Sequence, residues 1–404
     1  MKRFGGLFLF ACCTTFGLAA EARAQSQPEW SLRLQQWAGH RSGSADESIT
    51  NAEAWTRMRA TISDQISICG EGWLAVDPVG SGKGNGDVRE ALIEVRTGDI
   101  TLTIGRQINP WGRADRVNPT DLLSARDYRR LVEGEDENRL GQTTITVAIP
   151  LAGGKLSSIW MPEFRETRLP SSFDGLATRS VAPRQRDSFA LRYERFGGVD
   201  LALTFAQAPD RTPWLSLIPL NGRAGLALQH PRLQMIGADL ATNLGNFGIR
   251  FESALYAHDR FALSGLTDRV PRLAAVIGLD RSFPGQWLVI AQGILRTSRS
   301  VGPISPTQQL AARRNSNIHG TWDDTIFGAT LSVRKTFAGD RGQAEVTGAW
   351  LSGGGAFLQA RGSIKLSEQV RLQILGEQYS GSAQSYFGQL KPNRLLMIGL
   401  RAGY

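Results

Sequence analysis

Cysteine is almost missing: the 404 residues include three, Cys12, Cys13 and Cys69. Two of them lie in an N-terminal apolar stretch. If residues 1–24 are removed, Cys69 is alone and no intramolecular disulfide can form. A secreted chain of this length without staples must be held by an extended backbone hydrogen-bond network. Past the N-terminal stretch, no segment approaches the ~18 consecutive apolar residues that a spanning helix requires. Entry into a membrane would therefore demand a closed barrel of strands, the other structure that satisfies every backbone group in lipid. Histidine is scarce, with four residues, and neither a His-Glu-x-x-His pair nor a Gly-x-Ser-x-Gly elbow occurs. The cations are nearly all arginine and are spread along the chain. Nucleic-acid binding would want them gathered on one face.

The N-terminus has the form of a secretory signal peptide. Lys2 and Arg3 precede an apolar core running to Ala20, and Ala22-Arg-Ala24 is a small-x-small cleavage site before Gln25. A lipoprotein reading would need Cys12 or Cys13 as the acylated residue, and the bulky Phe10 with a very short leader counts against it. The whole sequence carries 46 Lys+Arg against 37 Asp+Glu. Without Lys2, Arg3, Arg23 and Glu21 it carries 43 against 36, a formal charge of +7.

Alternation with a period of two runs through the rest, the signature of strands with two unlike faces. Ile249 and Phe251 alternate with Arg250 and Glu252. Phe327, Ala329, Leu331 and Val333 alternate with Thr330, Ser332 and Arg334. Leu358, Ala360 and Ile364 alternate with Gln359, Arg361 and Lys365. The final segment is the clearest: Leu396, Ile398, Leu400, Ala402 and Tyr404 fall on one face, and Gly399, Arg401 and Gly403 on the other. An apolar outer face, a small or charged inner face and a terminal aromatic resemble the closing strand of bacterial outer-membrane β-barrels. That resemblance implies recognition by the barrel-assembly machinery through the strand ending at Tyr404, and a surround of outer-membrane lipid and lipopolysaccharide.

The connections support the same architecture. Tight turn signals fall at 64–65, 97–99, 152–154, 197–198, 244–246, 283–285, 339–342 and 367–368. Between them lie longer polar connections near 40–51, 78–85, 109–138, 162–185, 208–230, 258–270, 297–324 and 381–391, with a shorter one at 352–354. Alternating short turns and long loops belong to outer-membrane barrels. The expected fold is all-β: residues 25–404 form a transmembrane up-and-down antiparallel barrel of about 18 strands. Sixteen is the alternative, because 66–77 and 222–242 are ambiguous. Trp37, Trp55, Trp160, Trp287 and Trp350 are expected as interfacial girdle aromatics.

The segment Gly105–Leu131 stands apart. It leaves a strand at Arg106, is broken at Pro110 and Pro119, and then reads as helical, with Asn118 or Thr120 as caps and Asp121 in the first turn. Leu122, Leu123 and Tyr128 would pack on the wall. A charged, partly helical connection here resembles the inward-folded constriction loop of general porins. Its Gly-Arg-Gln … Trp-Gly … Ala-Asp … Asn-Pro … Asp wording is similar to a group of poorly characterised proteobacterial outer-membrane proteins of the porin and exopolysaccharide-channel kind.

The expected pore lining comes from this loop and from an arginine ladder on the wall. The loop supplies Arg106, Arg113, Asp115, Arg116, Asp121, Arg126, Asp127, Arg129 and Arg130. The wall supplies Arg192, Arg250, Arg334, Arg361 and Arg371, accompanied by Arg96, Lys365, Glu94, Glu194, Glu252 and Glu377. Arginine excess suits anionic or hydroxyl-rich solutes, because a guanidinium offers fixed planar donors. The leading expectation is a passive channel for small polar, anionic or sugar-like solutes, with no catalytic residue, cofactor, metal or nucleic-acid partner, and with homo-oligomerisation open. Three rivals stand beside it: an export channel for an acidic polysaccharide, a hydrolase with a loop-borne histidine, and a plugged structural barrel. His40, His230, His258 and His319 all fall in or beside loops, and His258-Asp259 and the Asp323-Asp324 pair near His319 keep the hydrolase open, although solvated loop histidines are the plainer reading. The acidic run Glu133–Glu137 could hold a divalent cation or serve as a solvated loop edge. Gly80–Gly86 lacks the Ser or Thr of a phosphate loop and reads as a hairpin loop.

Overall fold

The computed structural model describes residues 26–39, 47–76, 84–130, 132, 134–170, 177–220, 223–259, 263 and 265–403. The expected leader, His40, Glu133, Tyr404 and most of the Gly80–Gly86 loop lie outside these residues. Eighteen antiparallel strands form one closed sheet. The strand Ser26–Gly39 pairs with Glu47–Ser63 on one side and with Leu395–Gly403 on the other, so the first and last strands meet. Eighteen, not sixteen, is the count, because both ambiguous segments resolve. Ile66–Val76 is a barrel strand. Within 222–242, Arg232–Leu244 is a second barrel strand, while Arg223–Gln229 belongs to a separate sheet.

The eight tight turns fall where they were expected, at one end of the barrel. Gly98, Gly153, Gly245, Gly285 and Gly339 supply left-handed backbone there. At the other end the long loops build structure of their own. Trp214–Leu220 and Arg223–Gln229 form an antiparallel hairpin, and Ala177–Ser180 joins it in parallel. The helix Gln309–His319, ended by left-handed Gly320, packs Ala311 and Ile318 against Leu215, Leu226 and Leu228 of that sheet. Leu169, Ile318 and Leu390, from three different loops, meet at the long-loop end with Tyr386 and Phe387.

The barrel is inverted relative to a soluble protein. In the last strand Leu396 and Ile398 are 54% and 53% exposed on the outer face, while Met397 between them is 1% exposed and faces inward. Trp160, Trp287 and Trp350 are exposed on the outer face as girdle residues should be. Trp37 and Trp55 are not girdle residues. Trp37 is buried inward against Leu375, Leu395 and Met397, and Trp55 lies beneath guanidinium groups of the lumen.

The connection 108–141 folds into the bore, as expected, but its helical part is elsewhere. No helix starts at Asn118 or Thr120. The helical element is a single 3₁₀ turn, Glu135–Asn138, and Ala125–Arg126 pairs instead with Arg139–Leu140. Both candidate caps are engaged elsewhere: the Thr120 N–H and hydroxyl donate to Glu252 of the wall, and the Asn118 amide donates to the Ala114 carbonyl. Leu123 packs on Ile159, Met161 and Met235, with Leu122 beside it, whereas Tyr128 is left partly exposed. Ala114 and Val117 pack on Val276, Ile294 and Ile326, under Trp322 and Phe387. These two apolar contacts fill the side of the bore lined by strands 154–351. The side lined by strands 26–97 and 355–403 carries the Trp37, Leu375, Leu395 and Met397 cluster toward the long-loop end and charged residues toward the tight turns.

Candidate functional site: arginine-lined cavities beside the inward loop

Glu252, fully buried on the wall, is the anchor of the loop. Its Oε2 accepts the backbone N–H groups of Arg113 and Ala114, both at 3.0 Å. Its Oε1 accepts the N–H of Thr120 at 2.7 Å and the Thr120 hydroxyl at 2.8 Å. A carboxylate taken out of water is tolerated when several donors replace its hydration.

Ion pairs fix the rest of the loop. Arg113 and Arg192 share Asp239, at 2.7 Å each, and Arg113 also reaches Asp200 at 3.0 Å. Asp115 pairs with Arg250 at 2.8 Å. Arg116 and Arg334 converge on Glu345 at 3.1 and 2.8 Å. Asp121 holds Arg126 and Arg139 at 3.3 and 3.1 Å. Asp127 pairs with Arg168 at 3.0 Å, and Arg129 donates to the Leu169 carbonyl at 2.7 Å. Arg106 binds Glu163 at 3.1 Å, and Arg361 donates to Gln359 at 2.6 Å. The expected lining residues thus gather on the inside, but most of the loop arginines brace the loop against the wall.

The side of the bore lined by strands 26–97 and 355–403 holds two cavities. The larger, about 740 Å3, lies toward the tight-turn end and is lined by Arg33, Arg57, Arg89, Lys365, Arg371 and Arg401 with Glu29, Glu71, Asp136, Glu137 and Glu368. The smaller, about 190 Å3, is lined by Trp73, Asp87, Asp127, Arg130, Arg139, Arg165 and Arg168. Glu137 lines both. At this neck Glu53 takes Arg130 at 2.5 Å and Arg33 at 3.3 Å, and Arg33 also reaches Glu137 at 2.8 Å. Arg33, Arg89 and Arg130 lie 4.8, 5.0 and 5.1 Å from the Trp55 ring, and Arg130 is 3.6 Å from the Trp73 ring. Such stacking holds a guanidinium flat while leaving its edge able to donate.

Sequence reasoning missed Arg33, Glu53, Trp55, Glu71, Trp73 and Arg89. Arg33 sits between outward Leu32 and Leu34, and Glu53 and Trp55 sit among small residues, so alternation could have found them. Arg89 it could not find: Glu71 pairs with Glu90 and Gly72 with Val88, so Arg89 is the extra residue of a bulge. The bulge aims Arg89 inward onto Glu71.

The acidic run is tied to cations rather than set out as a cation cage: Asp136 pairs with Arg139, and Glu137 with Arg33. Among the described residues no group of three His, Cys, Asp or Glu could hold a metal ion. The solvated-histidine reading fails: the side chains of His230, His258 and His319 are enclosed and converge on Asp210.

No protein-family model and no curated protein matches the sequence. Solved structures do match in fold. OccAB3 of Acinetobacter baumannii superposes with a TM-score of 0.56 at 10% identity, covering 94% of this chain and 99% of that one. OccAB1 of the same organism gives 0.55 at 10% identity, covering 96% and 99%. OpdK of Pseudomonas aeruginosa, in its structure with vanillate, gives 0.55 at 12% identity, covering 94% and 98%. A closed eighteen-stranded barrel with an apolar outer face, matched by these proteins, gives the chain the fold of bacterial outer-membrane β-barrels.

Proposed function

We propose that the barrel is a passive channel, without catalytic activity, for small anionic solutes. They would pass between the inward loop and the wall formed by strands 26–97 and 355–403. The observation that carries this reading is a row of cations at one height. Lys365 pairs in register with Arg371, Arg371 with Arg401, and Arg401 with Arg33, across four neighbouring strands. Like charges directly opposite one another weaken a sheet, a cost that Glu53 and Glu137 reduce at the Arg33 end of the row. An anion passing along it offsets that cost and gives the row a use. A guanidinium suits a carboxylate or phosphate particularly well, through paired planar donors.

A plugged barrel is the second reading, and it too has an observation behind it: Leu169, Ile318 and Leu390 join three of the long loops in one apolar cluster. Ser180 donates to Glu166 and not to His230, so that trio is not arranged as a nucleophile beside its base, which weighs against the hydrolase.

Conductance of the refolded mature protein in a planar bilayer under a salt gradient tests the proposal. A stable open level with an anion-shifted reversal potential supports it. Silence from protein shown to be folded by heat-modifiable mobility supports the plug.

A further inference from the structure

Three histidines and one aspartate form a buried cluster at the long-loop end, apart from the arginine-lined cavities. The Asp210 carboxylate accepts the Thr212 N–H at 3.0 Å and the Trp214 indole N–H at 2.8 Å. His258 Nε2 and His319 Nδ1 each lie 3.9 Å from its Oδ2. His230 Nδ1 is 2.8 Å from the Asp210 carbonyl, and its Nε2 is 3.0 Å from Glu166. The His319 ring stacks on Trp214 at 3.5 Å. The other charged or titratable groups around the cluster are Arg211 with its neighbour Glu163, Arg299 beside His258, Arg232 with Asp187, and the Tyr256 ring 6.3 Å from His258.

The cluster is connected to the smaller cavity through residues 163–169. Glu166 holds His230, and the Thr167 N–H donates to the Arg211 carbonyl at 2.8 Å. Arg165 and Arg168 of the same segment line the cavity. The Arg168 N–H donates to the Arg126 carbonyl of the inward loop at 2.8 Å. Residues 163–169 are therefore clamped between the histidine cluster and the inward loop.

We infer that Asp210 with His230, His258 and His319 is an acid-sensitive latch, which holds residues 163–169, and with them Arg165 and Arg168, over the smaller cavity. Its effect on permeation rests on the channel reading; the latch itself does not. The closed cluster accommodates one extra proton readily. Burial pushes Asp210 up to about 6, so its carboxylate takes up a proton as the pH falls through that value. Burial, and then the neighbouring His258, holds His319 well below the usual imidazole range. Once opened, the carboxylate returns to about 4 and the His258 and His319 imidazoles to about 6.5. The His319 contribution is complete above about 6.5 and is lost as the pH falls below it. Asp210 acts the other way: its buried charge weakens the latch above about 6, and that burden is relieved between about 6 and 4. His258, enclosed beside Arg299, adds a second imidazole to the histidine side. Opening near pH 5 then takes up about one net proton, which shifts the balance toward the open form roughly tenfold per pH unit.

Hydrogen exchange of the folded barrel at pH 7 and pH 5, corrected for intrinsic rates and referred to the strands, tests this. Segments 163–169 and 210–230 should lose protection roughly tenfold or more at pH 5. In the double variant His258→Gln/His319→Gln the acid effect should vanish or reverse. No acid effect in the unaltered protein, or an undiminished one in the double variant, overturns the latch. Should that variant not fold, His319→Gln alone should flatten the pH dependence and Asp210→Asn should steepen it. The opposite order overturns the latch. Conductance is recorded on the same preparations: acid-dependent exchange with bilayers silent at both pH values supports the latch and overturns the channel.

Discussion

Glu252 Oε1 receives both the backbone N–H and the hydroxyl of Thr120, at 2.7 and 2.8 Å, so a single wall carboxylate fixes the tip of the inward loop. Its other oxygen holds Arg113 and Ala114. Hydrogen bonds to a charged group contribute about 1.5–3 kcal/mol each, so Glu252→Ala should release the loop while the eighteen-stranded wall persists. Unitary conductance should rise and become noisy, and amides 112–121 should lose exchange protection. Unchanged conductance and protection would remove Glu252 from its anchoring role.

Gly112 offers an independent route to the same anchor. Its φ is +105°, and a Cβ there would stand 2.5 Å from Glu252 Oε1. Gly112→Ala is therefore strained twice, by backbone and by contact. Its current noise should resemble that of Glu252→Ala in kind and be smaller in size. A variant indistinguishable from the unaltered protein would mean that the turn at 112 is not held as described.

Selectivity is expected to follow the cation row more than the loop arginines. Arg113 and Arg116 are committed to Asp239, Asp200 and Glu345, so replacing them takes one of two arginines from each of the buried acids Asp239 and Glu345 and moves the loop. Lys365 and Arg371 oppose each other in register at the larger cavity. Lys365→Ser with Arg371→Ser should relieve repulsion, leave folding intact, and shift the reversal potential toward zero anion preference. An undiminished anion preference would take the row out of the conduction path.

The fold was legible because lipid and bore impose opposite demands on adjacent residues. Alternation through Leu396, Ile398 and Leu400 is a direct record of those demands. Five of the eight tight turns were legible because glycine tolerates the left-handed backbone they need. The inward loop was legible as charged and broken by proline, but its partners were not. Nothing local tells Arg113 that it meets Asp239, or Thr120 that it meets Glu252 across 132 positions. Without those partners Thr120 reads as a helix cap. The histidines misled for a related reason: loop positions suggest solvent, and only the packing of the helix Gln309–His319 on the Trp214–Leu220 sheet shows that His319 is enclosed. Arg89 was hidden by a bulge, which breaks the period on which the reading rests.

The outer face gives the most direct test of the membrane assignment. Ile398 is 53% exposed and adjacent Met397 only 1%, so one residue separates lipid from interior. An arginine on the lipid face of such a barrel costs about 2–4 kcal/mol near the bilayer midplane and little near the interfaces. Ile398→Arg should lower the urea midpoint of the heat-modifiable folded form in lipid vesicles, while Ile398→Leu should leave it unchanged. The loss should shrink in thinner bilayers, where the same residue lies nearer a headgroup layer. An Ile398→Arg barrel as stable as the unaltered one in every bilayer would contradict a lipid-facing position for this strand face.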